Sequence, residues 1–293
     1  MEKQISIIMT SYNYADYIKE AIESVIAQTY TNWELIIVDD GSTDNSVDVI
    51  NGYIKLDSRI KLFQHEGACN KGLADSLKLG VEKAQNDWIT FLESDDKFAQ
   101  NALEEKIKAI QENPEIELIF SDLEMFQDEE KIAEFQNYFR DVETMFFKKD
   151  SSKFIQDFKK LIPKLNIIPT FSVVMLKKEL LKNCDFYPPC KASVDYYLWA
   201  QLCNAKIYYL NKKLTYWRIH SGSYINIDKH SWFTRFVFFT KIYYFTIAEK
   251  PLILKVLLML NYLRTRIIYL KLNKKTIKLN LFNNKYIFEK DLS

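Results

Sequence analysis

The sequence predicts an α/β protein, a Rossmann-like and mostly parallel sheet flanked by helices, followed by a C-terminal helical extension. Three observations predict it. Short β-branched runs alternate with segments of helical period up to Phe120. Two of those runs end in acidic residues, Val38-Asp39-Asp40-Gly41 and Phe91-Leu92-Glu93-Ser94-Asp95-Asp96. From Trp232 onward the chain becomes basic and aromatic.

The elements follow in order. Strand Ile5–Met9 precedes a helix near Ala15–Gln28, in which Tyr17, Ala21, Val25 and Gln28 recur at helical spacing. Strand Glu34–Val38, a helix near Asn45–Lys55, strand Ile60–Gln64, a helix near Ala74–Gln85 and strand Trp88–Leu92 continue the repeat. Helix Asn101–Glu112 stops at Asn113-Pro114, because the residue before proline is forced out of the helical region, and strand Glu117–Phe120 completes this half. The acidic, aromatic stretch Asp122–Asp150 reads as loops and short helices over a site. Phe171–Leu176 reads as a strand, Asp195–Cys203 as a helix, and Ile207–Leu210 and Thr215–His220 as strands. The expected division is one domain over 1–228, with halves 1–121 and 122–228, and a tail over 229–293.

Composition bounds the function. With 293 residues and 48% hydrophobic content the chain can bury a full core. A formal charge of +1 gives no reason to expect a nucleic-acid partner. The cysteines show no CxxC spacing, and the start Met1-Glu2-Lys3-Gln4 leads directly toward a strand, so a reducing cytoplasm is the expected location. The longest apolar run, Leu252 to Leu263, is broken by Lys255 and Asn261, too short for a spanning helix. From Trp232 to Leu281 basic residues face the single acid Glu249, interleaved with aromatics. Such segments either meet an anionic membrane surface or pack on the core or on a second subunit.

The cluster Glu93-Ser94-Asp95-Asp96 holds three carboxylates at the end of an apolar strand, where open α/β sheets bind ligands. Like charges this close are costly without a cation, so a divalent metal is expected, Mn²⁺ or Mg²⁺. Strand 1 is followed by Thr10-Ser11-Tyr12-Asn13-Tyr14, which is neither GxGxxG nor a P-loop. A dinucleotide-dependent dehydrogenase and a P-loop NTPase are thereby disfavoured. The absence of glycine from Thr10–Ala15 also argues against a nucleotidyltransferase.

Three segments, Ser6-Ile7-Ile8-Met9-Thr10-Ser11-Tyr12-Asn13, Ala27-Gln28-Thr29-Tyr30 and Glu34 through Asp44, closely resemble family 2 glycosyltransferases of the GT-A fold, with the similarity extending over roughly Ile5 to Ser223. The resemblance implies an inverting enzyme of bacterial surface-glycan type, taking a UDP-sugar to a glycan or lipid-linked glycan acceptor at the inner face of the cytoplasmic membrane. It implies that Thr10 and Tyr12 line the nucleotide pocket, that Asp40 contacts the base with Asp39 beside it, and that Glu93-Ser94-Asp95 takes the place of the DxD motif. Asp95 would ligate the metal, with Glu93 beside it; His220 would complete the metal shell or contact phosphate, and Asp96 would touch the donor ribose or sugar or share the metal. Val194-Asp195-Tyr196-Tyr197-Leu198-Trp199 is similar to the family's ED-x-x-LW element, which makes Asp195 the expected general base. In Tyr216-Trp217-Arg218-Ile219-His220, Arg218 is the expected bidentate diphosphate donor.

Three positions depart from the family pattern. Glu93 stands for the first aspartate, Val194 for the acid beside the base, and Leu77-Lys78 where many relatives carry Arg-Asn, which leaves Lys71 or Lys78 to supply a positive charge. They keep a second reading open, a nucleotide-sugar-binding or scaffold module without turnover.

Overall fold

The computed structural model describes residues 3–133, 152–163, 166–189, 193–220, 232–260 and 262. The first half is the expected repeat: β1 (Ile5–Ser11), α1 (Ala15–Ile26), β2 (Trp33–Asp39), α2 (Ser46–Ile54), β3 (Ile60–Gln64), α3 (Leu73–Lys83) and β4 (Trp88–Phe91). β1 pairs in parallel with both β2 and β4, and β2 with β3. The register sets Ser11 opposite Asp39, so the carboxyl ends of the first two strands lie side by side.

The second half is mixed. After β5 (Lys97–Phe98) and α4 (Ala102–Glu112) come β6 (Leu118–Gln127), β7 (Lys153–Phe154), α5 (Phe158–Leu161), β8 (Val174–Lys177), α6 (Val194–Gln201), β9 (Ile207–Ile219) and α7 (Trp232–Ile247). The sheet order is β3-β2-β1-β4-β8-β6-β9-β5, with β7 also on β9. β8 runs antiparallel between β4 and β6, and β9 pairs in parallel with β6 over its whole length. The two strands expected at Ile207–Leu210 and Thr215–His220 are therefore one, carried through Asn211-Lys212-Lys213 by register shifts opposite Ser121–Leu123. Of the stretch Asp122–Asp150, the part up to Gln127 extends β6 and residues 134–150 lie outside the described residues. Phe171–Val173, expected as strand, is a 3₁₀ turn leading into β8.

Two apolar clusters cover the sheet. On one face Ile18, Ala21, Ile22 and Val25 of α1 pack with Ile5, Ile7, Met9, Leu35 and Ile37, joined by Leu103 and Ile107 of α4. On the other, Ile8, Ile36 and Val38 meet Leu77 of α3 and the buried Tyr197, Leu198 and Trp199 of α6. Alternating strand residues serve opposite faces, as a sheet covered on both sides requires. Each fully buried Ile or Leu contributes roughly 1.5–3 kcal/mol of transfer free energy. α7 sinks Phe238 and Ile242 into the second cluster, with Phe238 edge-on to Tyr196 at 5.6 Å and Phe245 edge-on to Tyr197 at 5.4 Å. The first helix beyond β9 thus leans on the helix that carries Asp195.

The segment Ala27-Gln28-Thr29-Tyr30 is a structural joint. Gln28 Nε2 donates to the carbonyls of Ser24 at 2.9 Å and Ala99 at 2.8 Å, while its Oε1 accepts the Leu103 N–H at 3.0 Å in the first turn of α4. Thr29 Oγ1 donates to Glu104 at 2.7 Å, and the Tyr30 hydroxyl donates to the Lys3 carbonyl.

Candidate active site

The β1 and β2 ends are stitched together by side chains. Asn13, at φ +56°, accepts the Thr43 N–H on its Oδ1 at 2.7 Å, and its own N–H donates to Ser42 Oγ at 2.9 Å. Asp44 accepts from Ala15 N–H and from Ser46 N–H, both at 3.0 Å, holding the first turns of α1 and α2 with one carboxylate. Burial opposes that charge, yet these bonds and the one from Ser46 Oγ outweigh it and keep the Asp44 carboxyl below its usual range.

Asp39 and Asp40 have different tasks. Asp39 is fully buried and accepts from Ser42 Oγ at 2.5 Å, Ser42 N–H at 3.0 Å and Gln64 Nε2 at 3.2 Å. Asp40 accepts the N–H groups of Lys71 at 2.7 Å and Gly72 at 2.8 Å, with His65 Nε2 3.4 Å away. The loop 65–72 is thereby drawn over the strand ends. Gly41, at φ +77°, permits this closeness, since a Cβ there would lie 2.7 Å from the Ala68 carbonyl oxygen and 2.9 Å from the Asn70 nitrogen. We expect Gly41→Ala to cost about 2 kcal/mol or more, through left-handed strain plus displacement of that backbone, read as a lower urea midpoint at unchanged m-value. Thr10 at the end of β1 is partly exposed and Tyr12 is 44% exposed, so both remain open to a ligand. Lys71 enters through its backbone; its side chain makes no contact that bears on Asp40.

The acidic tract is organised by two distant segments. Glu93 accepts from Thr170 Oγ1 at 2.6 Å, and its N–H donates to Ser172 Oγ at 3.0 Å. Asp96, fully buried, accepts from Ser172 Oγ at 2.6 Å and from the Arg218 N–H at 3.0 Å. Asp95 is the outward member: its carboxylate lies 3.1 Å from His220 Nε2, whose ring rests on Tyr17 at 4.8 Å. Burial, then the Asp95 charge, push both Glu93 and Asp96 well above the usual carboxylate range. The tract also acts on Tyr14, whose hydroxyl is raised by burial and then by Asp95 and Glu93.

Two residues differ from expectation. Asp96 points inward, with both oxygens engaged, rather than toward a donor sugar. Arg218, buried, spends its guanidinium on the Asp95 carbonyl (2.8 Å), Gln127 Oε1 (2.7 Å) and Glu20 (3.1 Å), between the rings of Tyr17 and Phe126. It braces the tract from behind instead of offering a free fork. Thr170, Ser172 and Gln127 carry no sequence signal of a site role, the first two lying some 75 residues from the acids, and Tyr17 reads in sequence only as part of the helical period of α1. Ser221-Gly222-Ser223 lie outside the described residues.

Asp195 sits in the first turn of α6, half-buried, with Asn166 Nδ2 at 3.4 Å from Oδ2. Burial pushes its carboxyl up to about 7, against the lowering effect of the Tyr196 N–H and Asn166. Its charge also reaches Glu93, which links Asp195 electrostatically to the acidic tract. Among the described residues no three Asp, Glu, His or Cys side chains converge as a closed metal cage. The donor set still fits a hard divalent cation, because such ions take one or two protein carboxylates and complete their shell with phosphate and water. Asp95 offers that carboxylate, and the repulsion within the tract is what a cation relieves.

Residues 6–181 match the glycosyl transferase family 2 model. The chain belongs to that family. A glycosyltransferase of Haemophilus influenzae is 47% identical over 109 residues, 37% of this chain and 43% of that protein, so the chain matches less than half of that relative's length. The Escherichia coli enzyme WfaP, named UDP-Glc:α-D-GlcNAc-diphosphoundecaprenol β-1,3-glucosyltransferase, is 32% identical over 75% of this chain and 78% of its own. The solved structure of S. aureus TarS 1–349 with UDP-GlcNAc superposes with a TM-score of 0.61 at 20% identity, over 83% of this chain and 64% of that one. The mannosyltransferase PcManGT from Pyrobaculum calidifontis, solved with GDP-Man and Mn²⁺, superposes at 0.57 with 14% identity, over 91% of this chain and 81% of its own. Together these matches give family 2 membership, a GT-A fold with C-terminal helices, and relatives named as glycosyltransferases, one of them acting on a lipid-linked glycan. Among the described residues no helix is long and apolar enough to cross a membrane.

Proposed function

We propose that the protein is an inverting, metal-dependent glycosyltransferase that moves a hexose or N-acetylhexosamine from a UDP-sugar to a hydroxyl of a growing lipid-linked bacterial glycan, working peripherally at the inner face of the membrane. The observation that carries this reading is the pairing of Asp95, at the end of the acidic tract, with a half-buried Asp195 raised to about 7, whose charge reaches the same tract. WfaP, similar over three quarters of this chain, supports a UDP-hexose donor and a diphospholipid acceptor.

Thr10 and Tyr12 would line the nucleotide, on a floor held by Asp39, Asp40 and the 65–72 loop. Asp95, with His220 behind it, would hold Mn²⁺ or Mg²⁺, which when bound offsets the charge of the diphosphate. Arg218, Asp96, Thr170 and Ser172 keep the Glu93–Asp96 backbone in place. Asp195 accepts the proton of the acceptor hydroxyl while its oxygen bonds to the anomeric carbon. The bond from that carbon to the diphosphate oxygen breaks, and its electron pair leaves with UDP. One displacement inverts the centre, giving a β-linkage from an α-linked UDP-sugar.

Thermal stabilisation by UDP-sugars with and without Mn²⁺ tests the site, because a ligand that binds the native state raises its apparent stability. We expect a metal-dependent increment in wild type and none in Asp95→Asn. An increment in the variant equal to wild type would remove Asp95 from the metal. UDP release dependent on an acceptor separates turnover from a binding-only module.

A further inference from the structure

Beyond α7 the helical stretch 252–260 presents an unusual surface. Ile253, Val256, Leu257 and Leu260 recur at i, i+3, i+4 and i+7, a single stripe, and are 78%, 50%, 58% and 58% exposed. Leu252 is 76% exposed beside them. Soluble surfaces seldom leave this many contiguous aliphatic side chains in water, so the stripe is built to be covered. The charge of this part of the sequence is one-sided: from Lys250 to Lys278 it carries eight Lys or Arg and no Asp or Glu, and Lys250 and Lys255 are the ones among the described residues.

We propose that this helix docks in the interface of an anionic bilayer, its aliphatic stripe at the acyl boundary, with Lys255 and the basic residues that flank the helix in sequence drawn to acidic headgroups. Charge complementarity selects this occupant. A second copy of the chain would bring the same cationic segment against itself and repel, whereas acidic lipids attract each nearby Lys or Arg. Apolar burial and charge attraction then add, as in interfacial amphipathic helices. α7 connects this helix to α6 through Phe238 against Tyr196 and Phe245 against Tyr197, so a docked helix would hold the Asp195 cleft near the membrane plane. Docking of this kind gives the peripheral placement proposed above its chemical basis and rests on it.

Flotation of the full chain with phosphatidylcholine vesicles, and with vesicles doped with phosphatidylglycerol, tests the docking. We expect binding to the anionic vesicles at least about tenfold tighter than to the neutral ones, weakened by high salt. Ile253→Asp with Leu257→Asp is expected to abolish it while the melting temperature and UDP release with a water-soluble acceptor stay at wild-type level. Lys255→Glu, which spares the stripe, is expected to weaken binding several-fold. No preference for anionic vesicles, or unchanged flotation of the double variant, would overturn the proposal. So would a dimer in light scattering that the double variant dissolves, since the stripe would then cover a second copy. Because lipid binding and transfer to the soluble acceptor are read separately, failure of docking is distinguishable from failure of the proposed activity.

Discussion

Asp195→Asn is expected to lower kcat by about 10²–10⁴-fold with little change in the affinity for UDP, the range for removal of the positioned general base proposed here. A sugar hydroxyl is a weak nucleophile, and the asparagine amide keeps the shape of the side chain without accepting a proton. Burial raises Asp195 to about 7, so in wild type kcat rises with pH through an inflection near 7, where the carboxylate form takes over. The variant loses that limb. Asn166→Ala removes the amide that favours the charged form, so it moves the inflection to higher pH while leaving the plateau within a few-fold. The stability sign is opposite to the activity sign. A carboxyl raised on folding binds its proton more tightly in the native state, so its contribution is present at low pH and lost as pH rises through about 7. At pH 8 Asp195→Asn is therefore expected to be more stable than wild type, on the order of 1–3 kcal/mol, while nearly inactive. A full-rate variant would defeat the assignment of the base, and a flat wild-type pH profile between 6 and 8 would defeat its tuning.

What the chain discloses unaided depends on the range of the interactions involved. The βα repeat is legible because each strand and helix is fixed by its own apolar period, and the structure returns β1 to β4 within a few residues of the expected limits. Asp95 and Asp195 stand out as candidates because each sits in a local pattern, and their roles remain proposals. The antiparallel β8 between β4 and β6 is not legible, since nothing local distinguishes it from a parallel strand and its partners lie some 50 to 90 residues away. Ser172 shows the same limit more sharply. It touches Glu93 and Asp96 at once, 79 and 76 residues away, and an isolated serine before a strand carries no sign of that. The orientation of Arg218 is not legible either, because the groups that bind its guanidinium come from α1, β6 and the acidic tract.

Lys106→Met is expected to raise the stability of the protein, by on the order of 3 kcal/mol at pH 7, which for a chain of this size corresponds to several degrees of melting temperature. Lys106 lies on the inward face of α4 between Leu103 and Ile107, fully buried, and its ammonium nitrogen has no hydrogen-bond partner among the described residues. Its Nζ lies over the Phe98 ring, 5.4 Å from the centroid, a cation–π contact that offsets only part of the lost hydration. Burial accordingly pushes the amine down to about 7. Between that value and the usual lysine range near 10.5 the unfolded chain binds more protons than the native one, so stability rises with pH across this window and falls as pH drops toward 7. Methionine has a similar length, carries no charge, and adapts to an irregular apolar pocket, so it removes the desolvation cost without opening a cavity. The wild-type melting temperature should climb from pH 7 to pH 9.5 relative to the variant, with the gap closing at the alkaline end. Lys106 touches none of the groups around Asp95 or Asp195, so transfer activity is expected to stay within a few-fold of wild type. An equal or lower melting temperature for Lys106→Met at pH 7 would mean that the ammonium is solvated or paired in the native state, and the predicted pH slope would vanish with it.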